Sequence, residues 1–194
     1  RNAEESVILD DLCRTIEPLL EGDVSGIGIG VPTLVDAERG IVFDVQNIPS
    51  WREVGVGPAL SKRFGVPVFV NNDANCFALG EKKFGRGRGY ASFVGLTLGT
   101  GLGGGIIVDH RIASGANGGA GEFGSLPYRD DILESYCSGK FFLNRAGMDG
   151  VEVKKRALAG ERDALEVYRE FGRHLGTAVQ CVMFAVDPEA ILFG

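Results

Sequence analysis

Asp73 stands where an apolar, β-rich run, Val66-Pro67-Val68-Phe69-Val70, gives way to helical spacing from Ala74 to Phe84. A carboxylate at the carboxyl end of a strand lies at the edge where open α/β sheets present ligands, and it can take a proton from a hydroxyl. The same position is an N-cap, a role worth on the order of 1 kcal/mol, and both roles coexist only if the carboxylate keeps a spare acceptor. Asn71 and Asn72 beside it carry amides of the kind that read sugar hydroxyls and equally of the kind that make turns. A second candidate is the run Gly99-Thr100-Gly101-Leu102-Gly103-Gly104. Its letters fit a G-x-G-x-x-G dinucleotide fingerprint, but that mechanism needs a helix amino terminus next, and a β-branched strand follows instead. No G-x-x-x-x-G-K-[ST] loop occurs either. What remains is a hairpin turn whose glycine N–H groups and Thr100 hydroxyl suit phosphate oxygens, with a merely tight hairpin as the alternative. Glu122, in a loop without apolar periodicity, is either a further acceptor or a solvated surface acid.

The elements that must position these residues alternate between helix and strand, which makes the fold class α/β. Ile8, Leu12, Ile16, Leu19 and Leu20 recur at helical spacing, Val24–Gly30 reads as a buried strand ending at Pro32, and Gly40–Val45 reads as another. Pro58–Phe64 is a short helix leading to the strand before Asp73. Ala91–Leu98, the glycine turn and Gly105–Asp109 read as strand, turn, strand. Ser114–Gly124 is a Gly/Ala-rich loop, and Leu165, Tyr168, Phe171, Leu175, Val179, Val182, Met183 and Val186 mark one long amphipathic helix. Ala190–Gly194 reads as a final strand. The expected division is a first domain over 1–73 and a second over 74–194, hinged near Asp73-Ala74. Arg1 is not an initiator methionine and the last strand stops where a ligand-binding loop is due, so the chain is expected to be truncated at both ends.

Composition excludes several function classes. No apolar run approaches the eighteen or so residues of a membrane helix, and Arg1-Asn2-Ala3-Glu4-Glu5 is no signal peptide, so a cytoplasmic protein is expected. A net charge of −6 without a Lys/Arg cluster argues against nucleic acid as a partner. Cys13, Cys76, Cys137 and Cys181 are scattered without C-x-x-C spacing and read as core thiols.

Four segments taken in order resemble one known family. They are Gly28-Ile29-Gly30-Val31-Pro32-Thr33-Leu34-Val35-Asp36, Val70-Asn71-Asn72-Asp73-Ala74-Asn75, Leu98-Gly99-Thr100-Gly101-Leu102-Gly103-Gly104-Gly105, and Gly115-Ala116-Asn117-Gly118-Gly119-Ala120-Gly121-Glu122-Phe123-Gly124. The set is similar to the ROK family of repressors, open reading frames and sugar kinases, from about Gly26 through Ser138 and more loosely to Gly194. The resemblance implies the actin-like ATPase (ribonuclease H-like) two-domain fold, a hexose or amino-hexose held between the domains, magnesium-ATP as phosphoryl donor, and a homodimer. Position by position it implies Asp73 as catalytic base, Asn72 and Glu122 as sugar ligands, Glu134 as a further sugar-contacting acid, and Gly99, Thr100, Gly101, Gly103 and Gly104 as the phosphate turn.

This chain departs from the family at two places. Ser125 stands where relatives carry a histidine that binds zinc and sugar, and the interval to Glu134 holds neither Cys nor His, so no structural zinc is expected. Ser125 is retained as a sugar-binding candidate through its hydroxyl. Thr33 replaces a frequent glycine, which narrows the expected sugar pocket. The family's first phosphate loop, an Asp-x-Gly-Gly-Thr sequence near the amino terminus, is missing from this chain, in line with the expected truncation. The resulting expectation is a glucokinase-like, zinc-free sugar kinase. A sugar-responsive transcription regulator and a non-catalytic sugar-binding homologue are the alternatives.

Overall fold

The computed structural model describes residues 4–45 and 48–194. Arg1, Asn2 and Ala3, on which the reading of the amino terminus partly rests, lie outside the described residues. The 3.6-residue apolar spacing at the start winds into α1 (Glu5–Ile16), and Ile8, Leu9, Leu12 and Ile16 pack on a core with Val42, Val54, Val56, Leu60 and Val70. The first strand, β1 (Ile27–Val31), starts three residues later than its apolar pattern suggests and stops before Pro32, which has no N–H to donate.

Next come three short strands, β2 (Val35–Asp36), β3 (Ile41–Phe43) and β4 (Glu53–Val54), joined antiparallel in the order β2-β3-β4. Only the middle one is legible as a strand, because two residues carry no period. Helix α2 (Val56–Phe64) leads into β5 (Val68–Asn72), which lies parallel to β1 with Gly30 opposite Asn71 and Val31 opposite Asn72. Two parallel strands thus deliver their carboxyl ends side by side, at the edge where the chain enters α3 (Asp73–Lys83).

The long apolar run becomes β6 (Phe93–Leu98), followed by β7 (Leu102–Val108) and β8 (Arg111–Ile112). A small hairpin, β9 (Pro127–Tyr128) with β10 (Asp131–Ile132), precedes α4 (Leu133–Cys137), α5 (Gly139–Ala146), α6 (Gly150–Leu158) and α7 (Arg162–Val186). The last strand, β11 (Ala190–Phe193), is parallel to β6 in a sheet of order β11-β6-β7-β8.

By contacts the chain forms two compact units, residues 1–76 with 114–119, and residues 77–113 with 120–194. The boundary falls inside α3, three residues beyond the expected Asp73-Ala74 hinge. Ser114–Gly119 counts with the first unit, because at Gly118 the backbone approaches Val35 O so closely that a Cβ would sit 2.4 Å from it. A contact of that kind leaves no periodicity for a sequence pattern to show.

Helix α7 buries Val182 as expected, but its other fully buried positions, Ala164, Val167, His174 and Ala178, precede the expected large apolar residues by one, and Met183 is 52% exposed. Its centre holds small residues and a histidine, to which a hydrophobicity pattern is blind. His174 is 2% exposed, its Nδ1 lies 3.0 Å from the Tyr128 hydroxyl, and among the described residues its Nε2 has no hydrogen-bond partner, the Glu170 Oε1 standing 3.9 Å away. Burial first, and then the Arg129 charge, lower its pKa below the usual 6.5; Arg173 adds to this, while Glu170 opposes it. Tyr128 and Tyr136 also face the ring.

A folded-state pKa below the unfolded value means the unfolded chain binds more protons below about pH 6.5, so stability falls as pH falls through that range. Thermal midpoints measured from pH 7.5 down to 5.5 are expected to drop more steeply for the wild type than for His174→Gln, which cannot titrate. Parallel profiles would show that His174 carries no such penalty.

Candidate active site

The chemistry of Asp73 depends on which neighbour caps α3, and that neighbour is Asn72. The Asn72 Oδ1 accepts from Ala74 N–H at 2.9 Å and from Asn75 N–H at 3.3 Å, while its Nδ2 donates to Thr33 O at 3.2 Å. Asn72 therefore holds the helix start and ties it to the loop after β1. Asp73 is the first residue of the helix, exposed, with Oδ1 sharing the Ala74 N–H at 2.8 Å. Among the described residues no donor is bonded to its Oδ2. The spare acceptor that a base requires is present.

Behind this edge lies a network that sequence reasoning passed over. Asn71 Oδ1 accepts from Asn72 N–H at 2.9 Å and from Asn75 Nδ2 at 3.0 Å. Asn75 is 2% exposed, and among the described residues its own Oδ1 has no partner. A buried asparagine four residues after Asn71 is the only sequence signal for this bond, since residues four apart share one helix face. Thr33 donates its hydroxyl to Phe43 O at 2.5 Å, which fastens the loop after β1 to β3. Cys76 completes the surroundings; burial and, second, the Asp73 carboxylate raise its thiol pKa.

In the second unit the glycine turn is shorter than its letters suggest. It comprises Gly99–Gly101 alone, because Gly103 and Gly104 pair with Thr97 and Leu96 inside the β6–β7 ladder. The turn closes with Gly99 N–H donating to Gly101 O at 3.0 Å. Among the described residues neither Thr100 N–H nor Gly101 N–H meets a protein acceptor, which leaves two adjacent donors at the tip for an anion. Gly104 is glycine for packing: a Cβ there would lie 2.6 Å from Gly121 O and 2.8 Å from the Phe123 ring.

That close approach seats the Gly121–Ser125 loop on β7. Glu122 and Ser125 are exposed in it, with Ser125 N–H donating to Glu122 O at 3.1 Å. Gly124 brings the same loop to within 2.4 Å of Leu102 O and 3.4 Å of Glu134 Cβ, measured from where its own Cβ would be. Glu122, Ser125, Glu134 and the glycine turn are therefore neighbouring parts of one unit. Glu134 is committed locally: Oε2 accepts from Leu102 N–H at 3.1 Å and Oε1 from Lys140 Nζ at 2.6 Å.

The short interval between Ser125 and Glu134 is occupied by the β9–β10 hairpin. Tyr128 and Tyr136 meet edge-to-face at 5.2 Å, the Arg129 guanidinium lies 5.7 Å from each ring, and the Tyr136 hydroxyl donates to Asp130. With the His174 contact from α7, these groups hold the hairpin in place. Among the described residues no set of three His, Cys, Asp or Glu side chains is arranged to hold a metal, and no helix is long and apolar enough to cross a membrane. Cys137 is buried, and burial with the nearby Cys181 pushes its thiol pKa up to about 11, as befits a core thiol.

Residues 5–194 match the ROK family. The chain is 32% identical to a glucokinase of Streptomyces coelicolor over 221 aligned residues, covering 96% of this chain and 69% of that enzyme. It is 30% identical to the xylose repressor of Caldicellulosiruptor bescii, covering 88% of this chain and 50% of the repressor. Among solved structures, a ROK family glucokinase from Streptomyces griseus in complex with glucose and AMPPNP superposes with a TM-score of 0.84 at 31% identity, covering 98% of this chain and 72% of that one.

Proposed function

Because this chain belongs to the ROK family, with the actin-like fold of its glucokinase relatives, we propose that it transfers phosphate from ATP to a hydroxyl of a hexose or N-acetylhexosamine, with Asp73 as the general base. The observation that carries this reading is the division of labour at the β5–α3 junction. Asn72 caps the helix, and Asp73 is left exposed with an oxygen free of described donors. A carboxylate retained only for capping has no need of that arrangement.

In this reading the sugar hydroxyl gives its proton to Asp73 as its oxygen attacks the γ-phosphorus, and the bond from that phosphorus to the bridging oxygen breaks to release ADP. Thr100 N–H and Gly101 N–H hold phosphate oxygens at the turn, and Mg²⁺ brought with the nucleotide offsets their charge. Glu122 and Ser125 serve the sugar. Asn72 contributes at most the second hydrogen of its amide nitrogen, since Thr33 O takes the first.

Likeness to a xylose repressor supports a second reading, a sugar-responsive regulator that binds without turnover. An ADP-release assay separates the two across glucose, fructose, mannose and the N-acetylated amino sugars. ATP-dependent turnover with at least one of them is expected. Tight sugar binding with a flat ADP response to every sugar would replace the kinase reading with the regulator.

A further inference from the structure

The tip of the glycine hairpin is gripped from both ends by one short stretch of chain, Glu134 to Lys140. Gly139 N–H donates to Gly99 O at 2.8 Å, and Glu134 Oε2 accepts from Leu102 N–H at 3.1 Å. A Cβ on Gly101 would lie 2.5 Å from Glu134 Oε2, so a side chain there would push the carboxylate aside. The carboxylate thus lies against Gly101, which carries one of the two tip donors that meet no acceptor among the described residues.

Standing alone, a carboxylate there opposes the binding of a phosphate, since like charges a few ångströms apart repel strongly when partly shielded from water. Glu134 has a compensating cation. Lys140 Nζ sits 2.6 Å from its Oε1, and Lys140 is fixed at the start of α5, where its N–H donates to the buried Ser138 hydroxyl at 3.2 Å. Glu134 is 25% exposed and Lys140 48%, so the pair is accessible to an approaching anion.

We propose that Lys140 is a positioning residue of the nucleotide site: with Glu134 it clasps the glycine turn, and it cancels the carboxylate charge where the phosphates of ATP are held. The inference rests on the kinase reading and adds a part at the phosphate turn to the sugar contact expected of Glu134, whose carboxylate keeps lone pairs beyond the one each oxygen uses here. Lys140 itself need not touch the sugar.

The test is the affinity for magnesium-ATP, measured by calorimetry, in wild type, Lys140→Met, Lys140→Arg and the double variant Lys140→Met with Glu134→Gln. Lys140→Met is expected to weaken nucleotide binding about tenfold and to leave sugar affinity within about twofold. Lys140→Arg keeps the charge and restores most of the affinity. The double variant also recovers, because the unpaired carboxylate and not the missing lysine causes the loss. Amide exchange at Leu102 is expected to quicken when Glu134 is replaced and to report the clasp without reference to ATP. Nucleotide affinity unchanged in Lys140→Met, or a double variant no better than the single one, overturns the clasp while leaving the kinase reading intact. Absence of nucleotide binding by the wild type removes the kinase reading and this inference together.

Discussion

Asp73→Asn is expected to lower kcat by about 10²- to 10⁴-fold, the usual contribution of a general base, while the folded state survives. The substitution keeps the volume, the planar shape and the Oδ1 that shares the Ala74 N–H, and it removes only the capacity to take a proton. Folding is spared because Asn72, and not Asp73, is the cap of α3. The neighbouring substitution has the opposite profile. Asn72→Ala loses a cap worth about 1 kcal/mol, or roughly 2–4 °C in thermal midpoint for a chain of this size, and loosens Thr33 as well. Paired melting curves and turnover rates read both effects. Near-normal turnover by Asp73→Asn would remove Asp73 as the base, and a large loss of stability in the same variant would make it a structural residue instead.

The residues at this junction show what a sequence discloses. A strand ending in Asn-Asn-Asp before a helical stretch was enough to mark the edge and to frame the question of base against cap. It was not enough to answer it, because the answer depends on which of two adjacent side chains turns back over the helix start, and both types are good caps. The glycine turn was located by letters but over-extended. Gly103 and Gly104 lie in the strand, where their lack of a side chain answers to Gly121 and Phe123, residues distant in sequence. The family motif therefore mixes glycines needed at a tip with glycines needed under a crossing chain, and composition cannot separate them.

His174 escaped for a related reason. A single histidine in a charged, amphipathic helix looks like a surface residue, and it is the folded packing of Tyr128, Tyr136 and Phe141 that buries it. Helices α4, α5 and α6 were likewise invisible as separate elements. Leu133 and Cys137 of α4 pack in one core cluster with Ala178 and Val182 of α7, and Phe141, Phe142 and Val153 of α5 and α6 in another with Ala164 and Val167, contacts between residues distant in sequence that no local period shows.

The second large effect belongs to Gly121→Ala, which is expected to destabilise the protein by on the order of 3–5 kcal/mol. Two causes act at one atom. Gly121 has a φ of +96°, a conformation that an L side chain rarely adopts, and a Cβ there would lie 2.1 Å from Gly104 O. Neither cause yields to a side-chain rotation, because the obstructing atom is backbone within the β6–β7 ladder. Relief requires the 121–125 loop to lift off β7, which moves Glu122 and Ser125 with it. The expected sign therefore appears twice, as a fall of roughly 10 °C or more in thermal midpoint and as a raised KM for the sugar in whatever fraction remains folded. Gly176→Ala supplies the contrast. It lies within α7 with nothing inside 4 Å of the added Cβ, so the better helix propensity of alanine is expected to stabilise by about 0.5–1 kcal/mol. Should Gly121→Ala melt within 2 °C of the wild type, the loop does not rest on β7 as described, and the placement of Glu122 beside the glycine turn falls with it.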